Sequence, residues 1–190
     1  MIIRVAGIDE AGRGALAGPV VAAACILPSP CPLEGITDSK KLKEKERERL
    51  YEEIIAFPGV TWAVGMVDAE VIDQINILQA TFLAMQRAVE ALSDAPDALL
   101  IDGPLLPSIS LPSLGIVGGD LHSRAIGAAS ILAKVTRDRW MRKQDSFWPE
   151  YSFAKHKGYG TAHHLAVLSR IGPSPLHRLS FDPLRCIQHA

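Results

Sequence analysis

The feature that most limits how this chain can fold is an apolar run, residues 2–9, that stops at a pair of acids followed at once by glycines around an arginine: Gly7-Ile8-Asp9-Glu10-Ala11-Gly12-Arg13-Gly14. A run this apolar reads as a strand buried on both faces, so other elements must cover it above and below. At its end, two adjacent carboxylates are costly to keep ionised together unless a cation or a shared proton compensates. Gly12 and Gly14 let the backbone beside Arg13 approach a ligand closely, offering N–H groups and a guanidinium to an anion. Taken alone, the stretch is equally a charged surface turn.

The rest of the chain supplies the cover. Residues 19–27 read as a second strand, with helix as an alternative because of three alanines, and the short connection favours a hairpin-like return. Thr37-Asp38-Ser39 offers caps for a charged helix over 40–56, with Leu42, Leu50 and Ile54 inward and Arg49 paired to Glu53. Val60, Trp62, Val64 and Met66 alternate as a third strand. After a polar turn at 68–74, Leu78, Phe82, Met85, Val89 and Leu92 form the stripe of a helix packed on a sheet. Residues 98–103 form a buried strand ending at Asp102-Gly103, and 114–117 a fifth strand. Gly118-Gly119-Asp120 opens a long helix over about 122–144, with Ala128, Ile131, Leu132 and Val135 on its packed side. The pattern predicts an α/β protein with a five-stranded mixed sheet flanked by helices. The 190 residues fit one domain, with 145–190 as a small helical C-terminal extension.

No apolar run reaches the length of a membrane span, and no signal peptide is evident, which predicts a cytoplasmic protein. Cys25, Cys31 and Cys186 are odd in number and lack C-x-x-C spacing, so reduced thiols are expected rather than disulfides or structural zinc. The net charge of −1 hides a division: residues 1–120 hold 9 Lys+Arg against 17 Asp+Glu, and residues 121–190 hold 11 against 4. Such a split permits a cation site beside a phosphate-attracting surface without requiring either. A monomer is expected, because no exposed apolar stripe is apparent.

In sheets of this kind ligands gather at the carboxyl ends of the parallel strands, where Asp9 and Asp102 fall, and Asp120 at a helix start can reach the same edge. Strand period two sends Asp9 and Glu10 to opposite faces, so Glu10 joins them only if the chain turns as the strand ends. Four such carboxylates suit Mg2+ or Mn2+ and the two-metal hydrolysis of a phosphodiester. Each also has a plainer use: Asp102-Gly103 is a common turn pair, and Asp120 a good helix cap.

Several further motifs now fall into an order. Gly7–Gly14 is followed by Ala17-Gly18-Pro19-Val20, Asp38-Ser39-Lys40-Lys41-Leu42 and Ile75-Asn76-Ile77-Leu78. Then come Ile101-Asp102-Gly103, Gly119-Asp120, Ala128–Asp138, His156–Thr161 (HKGYGT), and His177-Arg178 with Ser180-Phe181. Over nearly its whole length the sequence resembles ribonuclease HII, the type 2 ribonuclease H. The resemblance implies the ribonuclease H-like fold and an endonuclease that cleaves RNA in RNA/DNA hybrids and incises duplex DNA 5′ of embedded ribonucleotides. By position, Asp9, Glu10, Asp102 and Asp120 resemble the family's catalytic, metal-binding carboxylates. Gly12-Arg13-Gly14 resembles the motif that reads the ribonucleotide 2′-hydroxyl and grips the adjacent phosphate. Tyr159 resembles the tyrosine packed on the deoxyribose that follows the ribonucleotide. A 2′-hydroxyl is the local mark that separates RNA from DNA, which backbone donors and acceptors can test.

Three positions depart from the family's common pattern: Gly118 in place of a lysine, Pro104 of an asparagine and Ala15 of a proline. None removes a carboxylate. Lys40, Lys41, Lys134, Arg137, Lys155 and Lys157 could contact phosphates, which adds affinity without sequence choice. His122, His156, His163, His164, His177 and His189 show no zinc spacing and receive no metal role, and His156 is expected to help hold the HKGYGT loop. Two other readings remain open: a ribonuclease HIII-like nuclease, and a hybrid-binding module without catalysis.

Overall fold

The computed structural model describes residues 3–187. Residue 2, where the first strand was expected to begin, and His189 lie outside them. Five strands, β1 (Val5–Ala11), β2 (Val20–Ile26), β3 (Thr61–Val67), β4 (Ala98–Asp102) and β5 (Ser113–Ile116), form one mixed sheet in the order β3-β2-β1-β4-β5. β1 pairs antiparallel with β2 and parallel with β4, so β1 and β4 end at the same edge. The register sets Ile8 opposite Ile101, bringing Asp9 level with Asp102.

The sheet is covered on both faces, as its apolar central strands demand. On one face lie Ala6, Ile8, Ala22 and Ala24, under α2 (Ala69–Glu90) through Ile72, Ala80, Ala84, Met85 and Ala88. On the other lie Ala11, Ala23 and Cys25, under α1 (Glu44–Ala56) and α4 (Arg124–Asp145). Alanines at the α2 contact let helix and sheet approach closely. Leu78, Phe82 and Val89 of the expected stripe are therefore only half-buried beside them.

Helix boundaries are where the expectations change. α1 starts at Glu44 rather than residue 40, and Thr37-Asp38-Ser39 does not cap it. Instead the Lys40 N–H donates to Asp38 Oδ1 at 2.8 Å and the Lys41 N–H to the Asp38 carbonyl at 3.0 Å, closing a separate turn. The polar stretch 68–74 is helical, capped by Asp68, whose side chain accepts from the Val71 N–H. α2 then kinks at Asn76 (φ 67°), whose Oδ1 accepts from the Leu78 and Gln79 N–H groups and recaps the second segment. The apolar periodicity begins after that kink, so only the second segment is visible as a pattern. The long helix divides into α3 (Gly119–His122) and α4, with the Ser123 hydroxyl capping the latter.

Beyond α4, a 3-10 turn (Pro149–Tyr151), α5 (Phe153–His156), α6 (Ala162–Ile171) and α7 (Leu184–Ile187) pack on the loop after β1. Their shared core includes Leu16, Ala17, Met141, Tyr151, Phe153 and Leu168. Arg139 and Arg142 of α4 pair with Glu44, Glu48 and Glu52 of α1, so part of the charge division is spent on internal ion pairs. All three cysteines are free thiols. Among the described residues no helix is long and apolar enough to cross a membrane. β5, at the sheet edge, leaves Leu114 exposed next to exposed Val117, which weakens the ground for expecting a monomer.

Candidate active site

Asp9, Asp102 and Asp120 converge at the shared end of β1 and β4, with one carboxylate oxygen of each within 4.8 Å of the others. The Gly119 N–H donates to Asp102 Oδ1 at 2.8 Å, drawing the first turn of α3 onto the end of β4 and carrying Asp120 with it. Asp9 is 2% exposed, accepts the Glu10 N–H at 2.7 Å and bonds to the Ser130 hydroxyl of α4. The Ser130 and Ser39 hydroxyl oxygens are also hydrogen-bonded, 2.9 Å apart, which anchors the Asp38–Lys41 turn beside the acids.

The electrostatics mark this edge as short of positive charge. Burial, then the Glu10 and Asp102 carboxylates, pushes Asp9 up to about 8. Burial followed by Asp38 and Asp102 raises Asp120 as well. Burial also raises Glu10, against the opposing pull of Arg13. Lys40 faces the acids: burial acts to lower its ammonium, but Asp9, Asp38, Asp120 and Asp102 outweigh that and raise it.

Glu10 is placed differently from the other three. β1 runs on through Ala11 without turning, so period two holds and Glu10 points toward the α2 side, near Leu78 and Met85. Its carboxylate accepts from Arg13 Nη1 at 3.3 Å and lies outside the convergent trio. It stands between that trio and a cleft of about 500 Å3 bordered by Gly12, Arg13, Gly14, Lys40, Lys134 and Tyr159. The expected sugar- and phosphate-reading residues thus share one cleft, with Glu10 at its margin.

Two buried guanidiniums shape the cleft wall. Arg178 is fully buried and donates to the carbonyls of Gly12 (2.7 Å), Arg13 (2.8 Å) and Gly18 (2.9 and 3.0 Å). Arg137, also fully buried, donates to the carbonyls of Pro19 (2.9 Å), Lys157 (2.9 Å) and Ala17 (3.0 Å). Arg137 is therefore not available to phosphate, contrary to the sequence-based expectation. Burial lowers Arg178 to about 9, with Arg137 adding to the effect. Gly12 adopts φ +93°, and a Cβ there would lie 2.0 Å from Arg137 Nε, so only glycine fits. With the Gly12 and Arg13 carbonyls turned inward to Arg178, the 12–14 backbone is fixed beside the cleft.

Tyr159 is half-buried, its ring centroid 5.3 Å from the Arg137 guanidinium carbon and 5.5 Å from Lys134 Nζ. Its backbone is bonded to His156 and His164. Gly118 has a left-handed backbone (φ 66°) with open space around its Cβ position, so a lysine there would be strained by conformation rather than by crowding. Sequence reasoning missed Asp38, Ser130, Arg178 as a clamp, and the pairing of His164 with His177. The available signal was Ser130 and Arg137, seven residues apart and so on one face of α4, opposite the face that carries Ala128, Ile131 and Val135.

The ribonuclease HII family model matches residues 6–183. The chain belongs to the ribonuclease HII family. Ribonuclease HII of Desulfitobacterium hafniense (strain Y51) is 56% identical over 183 residues, covering 96% of this chain and 70% of that one. Ribonuclease HII of Coxiella burnetii (strain Dugway 5J108-111) is 55% identical, covering 95% and 89%. The crystal structure of ribonuclease H2 from Pyrococcus horikoshii OT3 superposes with a TM-score of 0.80 at 25% identity, covering 98% of each chain. As a ribonuclease HII the protein is a metal-dependent endonuclease of the ribonuclease H type with the ribonuclease H-like fold. Its donor set fits a hard divalent cation: oxygen ligands alone, held within 4.8 Å of one another, one of them unwilling to ionise without added positive charge.

Proposed function

We propose that this ribonuclease HII cleaves the RNA strand of RNA/DNA hybrids and incises duplex DNA on the 5′ side of an embedded ribonucleotide, leaving 3′-hydroxyl and 5′-phosphate ends. The observation that carries the reading is the adjacency of three convergent carboxylates, two of them on buried residues, to a cleft bordered by Gly12-Arg13-Gly14 and Tyr159. Asp9, Asp102 and Asp120, with Glu10 beside them, would hold two Mg2+ or Mn2+ ions, which supply charge for the scissile phosphate and a water acidic enough to attack it. Arg13, half-exposed, supplies a guanidinium to the neighbouring phosphate. The Gly12–Gly14 backbone, fixed by Arg178, tests the 2′-hydroxyl at short range. Tyr159 packs against the following sugar, where a flat ring leaves no room for another hydroxyl. Lys40 and Lys134 hold the strand without regard to sequence. The setting we assign is removal of ribonucleotides from DNA in the cytoplasm.

The test is a duplex with one ribonucleotide, its cleavage mapped at nucleotide resolution with Mg2+, with Mn2+ and with chelator. Metal-dependent scission 5′ of the ribonucleotide is the expected result. Cutting at any other bond, or binding without cutting, would refute the reading.

A further inference from the structure

Three buried histidines, His156, His164 and His177, lie behind the cleft, packed among Tyr151 and Phe153. Neither the cation site nor the direct substrate contacts use them. Their hydrogen bonds fix their protons. The Ser174 N–H donates to His177 Nδ1 at 2.9 Å. The Ser174 hydroxyl, 2.9 Å from the same nitrogen, can donate to it as well, and the Ser174 carbonyl is farther off at 3.3 Å. An amide donor cannot give up its proton, so His177 Nδ1 is bare and its proton is on Nε2. At the other end, His164 Nδ1 lies 3.0 Å from the Tyr159 carbonyl, which can only accept, so His164 is protonated on Nδ1 and bare on Nε2. The two Nε2 atoms are 2.9 Å apart, and the two independent assignments leave one proton between them. His156 follows the same logic: Nδ1 accepts the Gly158 N–H at 3.2 Å, and Nε2 donates to the Tyr151 carbonyl at 2.7 Å.

We propose that His164 and His177 are positioning residues that set Tyr159 over the cleft through a one-way hydrogen-bond relay from Ser174 to the Tyr159 carbonyl. The inference rests on the reading of Tyr159 as the group that tests the sugar after the ribonucleotide. His177 also forms a backbone bridge with Ala17, and the Arg178 N–H donates to the Leu16 carbonyl at 2.9 Å. The relay therefore fixes the spacing between the two recognition elements, Gly12–Gly14 on one side and Tyr159 on the other. Burial first, and neighbouring imidazoles second, lowers both His164 and His177 to about 4, so the neutral forms that the relay requires persist at neutral pH.

Two substitutions separate the ends of the relay. An asparagine at 164 puts an amide where Nδ1 stands and keeps the donation to Tyr159, whereas a glutamine puts it where Nε2 stands and keeps the contact with His177. The readout is the ratio of cleavage rates on a single-ribonucleotide duplex and an all-RNA hybrid, for wild type, His164→Asn, His164→Gln and Tyr159→Ala, with thermal stability measured alongside. We expect both His164 variants to lower the ratio toward that of Tyr159→Ala: His164→Gln, which loses the bond to Tyr159, by about fivefold, the worth of one hydrogen bond, and His164→Asn, which keeps that bond but is cut off from His177, by less. A wild-type ratio in either His164 variant would overturn the relay. An unchanged ratio in Tyr159→Ala would instead overturn the reading of Tyr159, and with it the role assigned here. Nitrogen-15 NMR of the wild-type imidazoles needs no variant: Nδ1–H on His164 with Nε2–H on His177 is expected, and Nε2–H on His164 contradicts the relay.

Discussion

The acid edge and the cleft wall are built on opposite principles. At the edge, parallel strands and a helix start bring three carboxylates within 4.8 Å of one another with too little positive charge nearby, and burial holds Asp9 at about 8. At the wall, Arg137 and Arg178 are buried with backbone carbonyls as partners, and His164 and His177 are kept neutral. The edge carries a cost that a cation relieves, and the wall is satisfied within the chain itself. A site short of charge suits a metal-dependent reaction, and a satisfied wall suits recognition, which needs fixed shape.

The largest way to break this comparison is at the edge. Asp9→Asn is expected to lower cleavage at least about a hundredfold, since it removes a ligand from the charge-stabilising centre. At the wall, Arg178→Met leaves three carbonyls without their donor. It should cost about 3 kcal/mol of stability in chemical denaturation, with Arg178→Lys recovering part.

The two regions also respond oppositely to pH. His164 and His177 are lowered to about 4 in the fold, so between about 4 and their ordinary 6.5 the unfolded chain binds more protons. Their contribution is complete above 6.5 and is lost as pH falls toward 4. Asp9 is raised from 3.8 to about 8, so across that range the fold binds the extra proton and its contribution declines as pH rises. Metal-free protein should therefore be most stable near pH 6.5 in denaturation curves. Asp9→Asn should flatten the decline above that point. A decline that survives Asp9→Asn would show that another group controls it.

The smallest effect belongs to the lysines of the cleft. Lys134→Gln should weaken binding of every duplex alike and reduce the slope of log affinity against log salt by about 1. A change confined to the ribonucleotide-containing duplex would move Lys134 from strand holding to recognition.

The edge was largely legible in the sequence and the wall was not. Apolar runs stopping at Asp9 and Asp102 mark strand ends, and the strand order then makes them neighbours. Glu10 shows the limit of the motif: adjacency in sequence puts it on the other face of β1, beside Arg13. The wall depends on contacts with no local signature, such as Arg178 to Gly12 across 166 positions and His164 to His177 within a packed aromatic cluster. Helix ends were misplaced where side chains form local turns, at Asp38, or recap the backbone, at Asn76.

The central claim is that the edge cuts and the wall chooses. It is tested most directly by kcat/KM for Asp102→Asn and Tyr159→Ala on a single-ribonucleotide duplex and on an all-RNA hybrid. The account predicts that Asp102→Asn lowers both values by the same large factor, and that Tyr159→Ala lowers the first far more than the second. Equal losses on both substrates for Tyr159→Ala, or full Mg2+-dependent cleavage by Asp102→Asn, would contradict it.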